Sequence, residues 1–155
     1  MKTTIIEPHK SSLGMDANLA TIIIFAAMLV ISWIPFLRWL AWAAPLLIFY
    51  MEKTSGFVKF QAAQALILGI VSAACSMVLQ VFIWILTPKN IYSAMNYAMG
   101  RGWGAWALLG TIATIIGIAF TIIDIYLIIT SYSWKQVELP IVGPIAAKVS
   151  GNSSV

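Results

Sequence analysis

The chain has 155 residues, 61% of them apolar and only 9% charged, with a formal charge of +4 from nine basic and five acidic residues. Soluble domains carry about a quarter charged residues, so this composition excludes an ordinary soluble fold. It also excludes a basic nucleic-acid surface, because the Lys and Arg residues are scattered along the chain. At about 20 apolar residues per crossing, the apolar content fills roughly four spans, and long unbroken runs without alternation point to helices rather than a barrel.

A polar N-terminal segment, residues 1–16, precedes the first apolar run. That run covers residues 17–37, begins beside Asp16 and Asn18 as helix caps, and meets Pro35 near its end. It is too long for the apolar part of a signal peptide and is read as a retained span. The second run, residues 39–51, contains Pro45 and would be only about 20 Å long as a helix. It is either a thin, tilted span or half of a hairpin with the first run that does not fully cross. Residues 62–86 and 105–130 are longer runs, each able to cross with some tilt. Between them, Tyr92, Tyr97, Trp103 and the Gly100-Arg101-Gly102 turn suit an interfacial loop with aromatic anchors. The tail, residues 133–155, carries Pro140 followed by Ile141, Val142, Ile145, Ala146 and Val149, a spacing that predicts a short helix or turn on the membrane surface. The expected architecture is an all-α integral membrane protein, with a four-helix membrane domain over residues 17–132 and a short interfacial C-terminal segment.

Lysine and arginine placement predicts orientation. Lys2, Lys10, Lys53, Lys59, Lys135 and Lys148 fall on one side of this topology, and Arg38, Lys89 and Arg101 on the other. Basic loops stay inside, so both termini are expected in the cytoplasm.

No catalytic motif emerges. His9 precedes the first span and reads as a solvated residue, whereas Cys75 falls in the middle of the third, so the two cannot form a dyad. With one histidine and one cysteine, a His/Cys metal site has no support, and an intrachain disulfide is impossible. No glycine loop cradles a phosphate. The expectation is a protein that is not an enzyme, without catalytic residues, metal or cofactor.

Asp124 is the most informative polar residue. It lies about 9 Å from the centre of the fourth run, inside the hydrocarbon, where an acid costs roughly 2.5–3.5 kcal/mol on insertion scales. Such a group faces the bundle interior, a water-filled cavity or a partner. It serves either as a proton or cation site, or as a polar contact for a transported chain, or as a neutral or paired group holding helices together. The third run travels outward, so Gln80 belongs to the outer half and Gln61 and Gln64 to the cytoplasmic entrance. A polar cluster of Lys59, Gln61, Gln64 and Asp124 follows from these depths. Two stripes of small and polar residues at steps of three and four mark faces for packing: Ala65, Gly69, Ser72 and Ser76 on the third run, and Gly110, Thr114, Gly117 and Thr121 on the fourth. They form either an antiparallel helix interface, with hydroxyls bonding across it, or the lining of a polar conduit.

Two segments resemble a known family. Phe57-Val58-Lys59-Phe60-Gln61-Ala62-Ala63-Gln64-Ala65-Leu66 resembles the segment opening a helix in the Tic-twenty-like family, and Tyr132-Ser133-Trp134-Lys135-Gln136-Val137-Glu138-Leu139-Pro140-Ile141 resembles its closing segment. That family includes the chloroplast inner-envelope import component, four-helix bacterial and archaeal proteins and magnetosome membrane proteins. Many members carry histidine or asparagine where this chain has Gln61. The resemblance covers residues 17–149 and implies four helices with both ends on one side, and a part in protein translocation or membrane assembly, as an oligomer or with membrane partners. The alternatives are a small-solute or ion channel or transporter using Asp124, and a structural organiser of a membrane compartment. The short polar N-terminal segment does not look like an organellar transit peptide, which makes a prokaryotic plasma membrane the expected location.

Overall fold

A computed structural model describes residues 2–34, 36–86, 94–95 and 103–151. The interfacial loop expected around Tyr92, Tyr97 and Gly100-Arg101-Gly102, with Lys89, lies outside the described residues. Strand β1 (Lys2–Ile5) is followed by helix α1 (Ala17–Trp33), a 3-10 turn (Arg38–Leu40), α2 (Ala43–Met51), α3 (Gly56–Leu86), α4 (Trp103–Tyr132), strand β2 (Lys135–Glu138) and α5 (Val142–Val149).

Helices dominate, and α3 and α4 are long and apolar enough to cross a membrane. At 1.5 Å per residue each measures about 45 Å, a turn or more beyond roughly 30 Å of hydrocarbon at both ends. Helix α3 starts six residues before the apolar run that predicted it, because Gly56 to Gln61 add a helical turn and a half ahead of the apolar stretch. Helix α1 stops at Trp33, short of the expected residue 37: the residue before a proline is driven out of the helical region, and Ile34 is extended at ψ 115°. The second run resolves into the 3-10 turn and the nine residues of α2, about 14 Å of helix. Pro45 sits in the first turn of α2, where its missing N–H has no intrahelical partner to lose.

The expectation of a purely helical chain needs one correction. β1 and β2 pair antiparallel, with Lys2 opposite Glu138 and Ile5 opposite Lys135. Four residues are too few to display a strand period in sequence, and each edge becomes a strand only when the other arrives. This pairing brings the two chain ends to one end of the bundle, here called the terminal end. The return from α4 into β2 is made by Trp134, in the left-handed region at φ 56°, an unfavourable conformation for a bulky residue. Its ring stacks on Phe57 with centroids 6.4 Å apart, and its carbonyl accepts a hydrogen bond from the Ile6 N–H at 2.9 Å.

Burial is concentrated at that terminal end. On α3 every buried residue falls between Phe57 and Gly69. On the described part of α4 the buried residues are Asp124, Leu127, Thr130 and Ser131. Ile24, Phe25, Phe60 and Leu127 are the largest buried apolar groups there. Helix α5 lays Gly143 and Ala146 against the rest: Ala146 packs with Phe60 and Ala63, and a Cβ on Gly143 would come within 2.9 Å of the Glu138 Cβ. Its other face exposes Ile141, Ile145 and Val149, an apolar stripe suited to the membrane boundary predicted for the tail. Away from the terminal end the long helices carry exposed apolar side chains, among them Met77, Trp84, Ile115 and Ile118.

Candidate functional site

The described residues place two acids in buried positions, and their surroundings differ in kind. Glu52 follows α2 and is almost completely covered. Its Oε1 accepts hydrogen bonds from the backbone N–H groups of Ser12 (3.1 Å), Thr54 (2.9 Å) and Ser55 (2.9 Å) and from the Thr54 hydroxyl (3.1 Å), while Oε2 accepts from the Ser11 hydroxyl. Burial alone would push this carboxyl up; the Ser11 hydroxyl and the Ser55, Thr54 and Ser12 N–H groups outweigh it and hold Glu52 well below the usual carboxylate range.

His9 joins the same assembly. Its Nδ1 donates to the Glu7 carbonyl at 2.8 Å, and its Nε2 is hydrogen-bonded to the Ser55 hydroxyl at 2.7 Å. The Ser55 oxygen in turn accepts from the Val58 N–H at 3.2 Å, capping the start of α3. His9 also packs its ring against Phe57 and Trp134. The expectation of a freely solvated His9 is therefore corrected: it ties the N-terminal segment to the loop before α3. Glu52 and Ser55 carried no recognisable motif, because the partners that join them to the rest of the fold, His9, Ser11 and Ser12, lie forty or more positions away.

Asp124 is only 6% exposed, and its Oδ1 has no hydrogen-bond partner. It lies on the wall of a cavity of about 500 Å³ between α1, the 3-10 turn, α3 and α4. Ser72, Ser76 and Gln80 line it from α3, Thr114, Gly117 and Thr121 from α4, Ser32 from α1, and Arg38 and Trp39 from the turn. The two stripes therefore look at each other across open space over much of their length. A Cβ on Gly110 or Gly117 would meet nothing within 4 Å. The Thr114 and Thr121 hydroxyls donate to the Gly110 and Gly117 carbonyls of their own helix, at 2.8 and 2.9 Å, and make no bond across. Only Gly69 makes a tight approach, and to a different partner: its Cβ would stand 3.0 Å from the Trp42 Cα and Cβ.

Of the predicted polar cluster, Gln61 and Gln64 are fully buried at the terminal end, Asp124 stands at the cavity, and Lys59 is half-buried. No hydrogen bond joins Asp124 to any of the other three; the Gln64 Oε1 instead accepts from the Leu139 N–H at 3.5 Å. Both ends of the Gln61 amide, the Gln64 Nε2 and the Ser131 Oγ lack partners. A buried polar group left unmet costs about 1–3 kcal/mol, so such a concentration calls for a purpose. Ala65 is buried in the apolar core.

Arg38 entered the sequence reading only as a topological charge. In the structure its Nη2 donates to the Gln80 Oε1 at 3.5 Å, and its guanidinium stands 5.1 Å from the centroid of Trp39. Both residues belong to the outer side in the predicted topology, which was the available signal for the pair. Groups of three or more His, Cys, Asp or Glu able to hold a metal do not occur among the described residues.

Comparison with known proteins leaves these features to stand on their own: no family model, curated protein or solved structure matches the chain.

Proposed function

We propose that this chain is a non-enzymatic, multi-pass membrane protein that takes a small cationic guest into the cavity and passes it across the bilayer, as a channel or transporter with Asp124 at the selective point. The observation that carries this reading is Asp124 itself: a buried acid in a long apolar helix, on a cavity wall, with an oxygen that none of the described protein groups satisfies. Glu52 provides the contrast, since a merely structural acid in the same chain is saturated with donors.

In this reading α3 and α4 cross fully, α1 crosses as a shorter third span, and α2 completes the bundle as a thin fourth. The paired chain ends, together with six lysines on that side, support cytoplasmic termini. A prokaryotic plasma membrane is the proposed location. Reconstitution in liposomes tests the function: monovalent-cation flux, protons included, should appear with the protein and fall about tenfold or more in Asp124→Asn, which keeps shape and removes the charge. Flux of every tested ion equal in wild type and D124N would discard this reading.

A second reading, a component of protein translocation or membrane assembly, draws on the Tic-twenty-like resemblance and on the exposed apolar flanks of α3 and α4, which offer surface to further copies or membrane partners. A cavity of about 500 Å³ holds a few side chains, so a polypeptide path requires an oligomer. Crosslinking in cells from the Lys53–Gln61 segment separates the two: capture of nascent chains favours translocation. Localised assembly without flux or cargo would favour a membrane organiser.

A further inference from the structure

We propose that a hydrated proton path runs from the cavity floor to the terminal end of the bundle through Asp124, Gln64, Gln61 and Ser131, so that the ion moved is the proton. This rests on the transport reading above and names its cargo. Gln61, Gln64 and Ser131 are fully enclosed, yet the Gln61 amide at both ends, the Gln64 Nε2 and the Ser131 Oγ have no protein partner.

Their positions extend the cavity walls. On α3, Gln61, Ala65, Leu68 and Ser72 follow one face at steps of four, three and four, and Leu68 and Ser72 line the cavity. On α4, Ser131 falls two turns beyond Asp124 on the same face. The Gln64 Oε1 is held by the Leu139 N–H, so this amide reaches the segment between β2 and α5 and faces the terminal exit.

The chemistry of the orphaned atoms selects the cargo. Two amide nitrogens can only donate, the Gln61 oxygen can only accept, and the Ser131 hydroxyl does both. Such a mixture suits water, which needs donors and acceptors together. A dehydrated metal cation requires a shell of oxygens, and the amide donors would repel it. Titratable or charged groups on the surrounding elements are sparse. Helix α1 has none, α3 offers Lys59 in its first turn and Cys75 farther along, α4 adds Tyr126 and Tyr132 to Asp124, the turn offers Arg38 on the cavity wall, β2 offers Lys135 and Glu138, and α5 offers Lys148.

In the transfer step, hydronium in the cavity gives its proton to the Asp124 carboxylate and becomes water. The acid O–H then breaks as the proton passes to a water held by the Gln64 and Gln61 amides, restoring the carboxylate. Protons relayed along that water leave at the terminal end, driven by the existing gradient.

The test uses the full chain in liposomes holding a pH-sensitive dye, with an imposed pH gradient and the membrane potential clamped by potassium and an ionophore. Gln61→Leu/Gln64→Leu should lower proton flux about tenfold, while thermal stability in detergent changes little, because the unmet amide atoms replaced by apolar groups offset the one long bond lost from the Leu139 N–H. Ser131→Ala removes a single oxygen and should lower flux in the same direction, providing the decisive measurement where the double variant does not fold. Wild-type proton flux in Q61L/Q64L and S131A overturns the path and leaves the transport reading intact. Asp124-dependent sodium or potassium flux without proton movement does the same. Flux of no ion depending on Asp124 removes both.

Discussion

Two buried acids divide the molecule into regions built on different rules. Around Glu52, three backbone N–H groups, the Ser11 hydroxyl and the Thr54 hydroxyl converge until the carboxylate is fully satisfied, and His9 and Trp134 tie the N-terminal segment, the α2–α3 loop and the turn after α4 together. Around Asp124, the flanking threonines spend their hydroxyls on their own helix, the glycines meet nothing, and an oxygen is left unmet. A sequence that can saturate one acid and leaves another bare has separated the region that holds the fold from the region that acts.

The largest test of that division is the removal of each acid. Glu52→Ala strands donors from two segments, Ser11–Ser12 and Thr54–Ser55, and should cost about 3–5 kcal/mol, read as a large drop in thermal stability in detergent. Asp124→Leu should leave stability unchanged or raise it, since an unsatisfied group is replaced by an apolar one. Equal losses in both variants would erase the distinction.

The glycines sharpen it further. Gly69→Ala and Gly143→Ala drive a methyl to 3.0 Å from Trp42 and 2.9 Å from Glu138 and should destabilise by about 1–3 kcal/mol. Gly110→Ala and Gly117→Ala have free space and a better helix former, and should stabilise by up to about 1 kcal/mol.

Acid titration gives a third comparison. Glu52 binds its proton less readily when folded than when unfolded, so its stabilisation is complete above its ordinary value of 4.5 and is lost as the pH falls below it toward the folded value. Unfolding followed between pH 7 and pH 3 should show stability declining at the acid end, and Glu52→Gln should flatten that decline. The smallest effects belong to Thr114→Val and Thr121→Val, which lose only a bond to their own helix and should change stability by no more than about 0.5 kcal/mol.

Much of the long-helix framework was legible in the sequence, because unbroken apolar runs of membrane length are hard to use in any other way. The boundaries were less so. Pro35 marked the end of α1 within a few residues, whereas the opening of α3, Gly56 to Gln61, is broken up by Lys59 and Gln61 in sequence and is helical through its Ser55 cap and the burial of Phe57, Val58 and Phe60. Asp124 was visible because an acid in an apolar run is conspicuous, and the small-residue stripes were visible as stripes. What lay between them was not: a stripe of Ser, Thr and Gly reads the same whether two helices touch along it or stand apart. Glu52, His9 and Ser55 were hidden for another reason, as each looks like an ordinary loop residue until the N-terminal segment folds over the loop. The strands were hidden likewise, each too short to declare itself alone.

The pairing of β1 with β2 also sets an order of manufacture. β1 is synthesised well before its partner, so the N-terminal strand must wait, unpaired, until both long helices have been made. The Glu52 lock can form earlier, once residues 52–55 have emerged, and can hold the waiting segment near its destination. Assembly then runs from the lock outward to the clasp of β2 on β1, which makes that pairing the late seam of this fold.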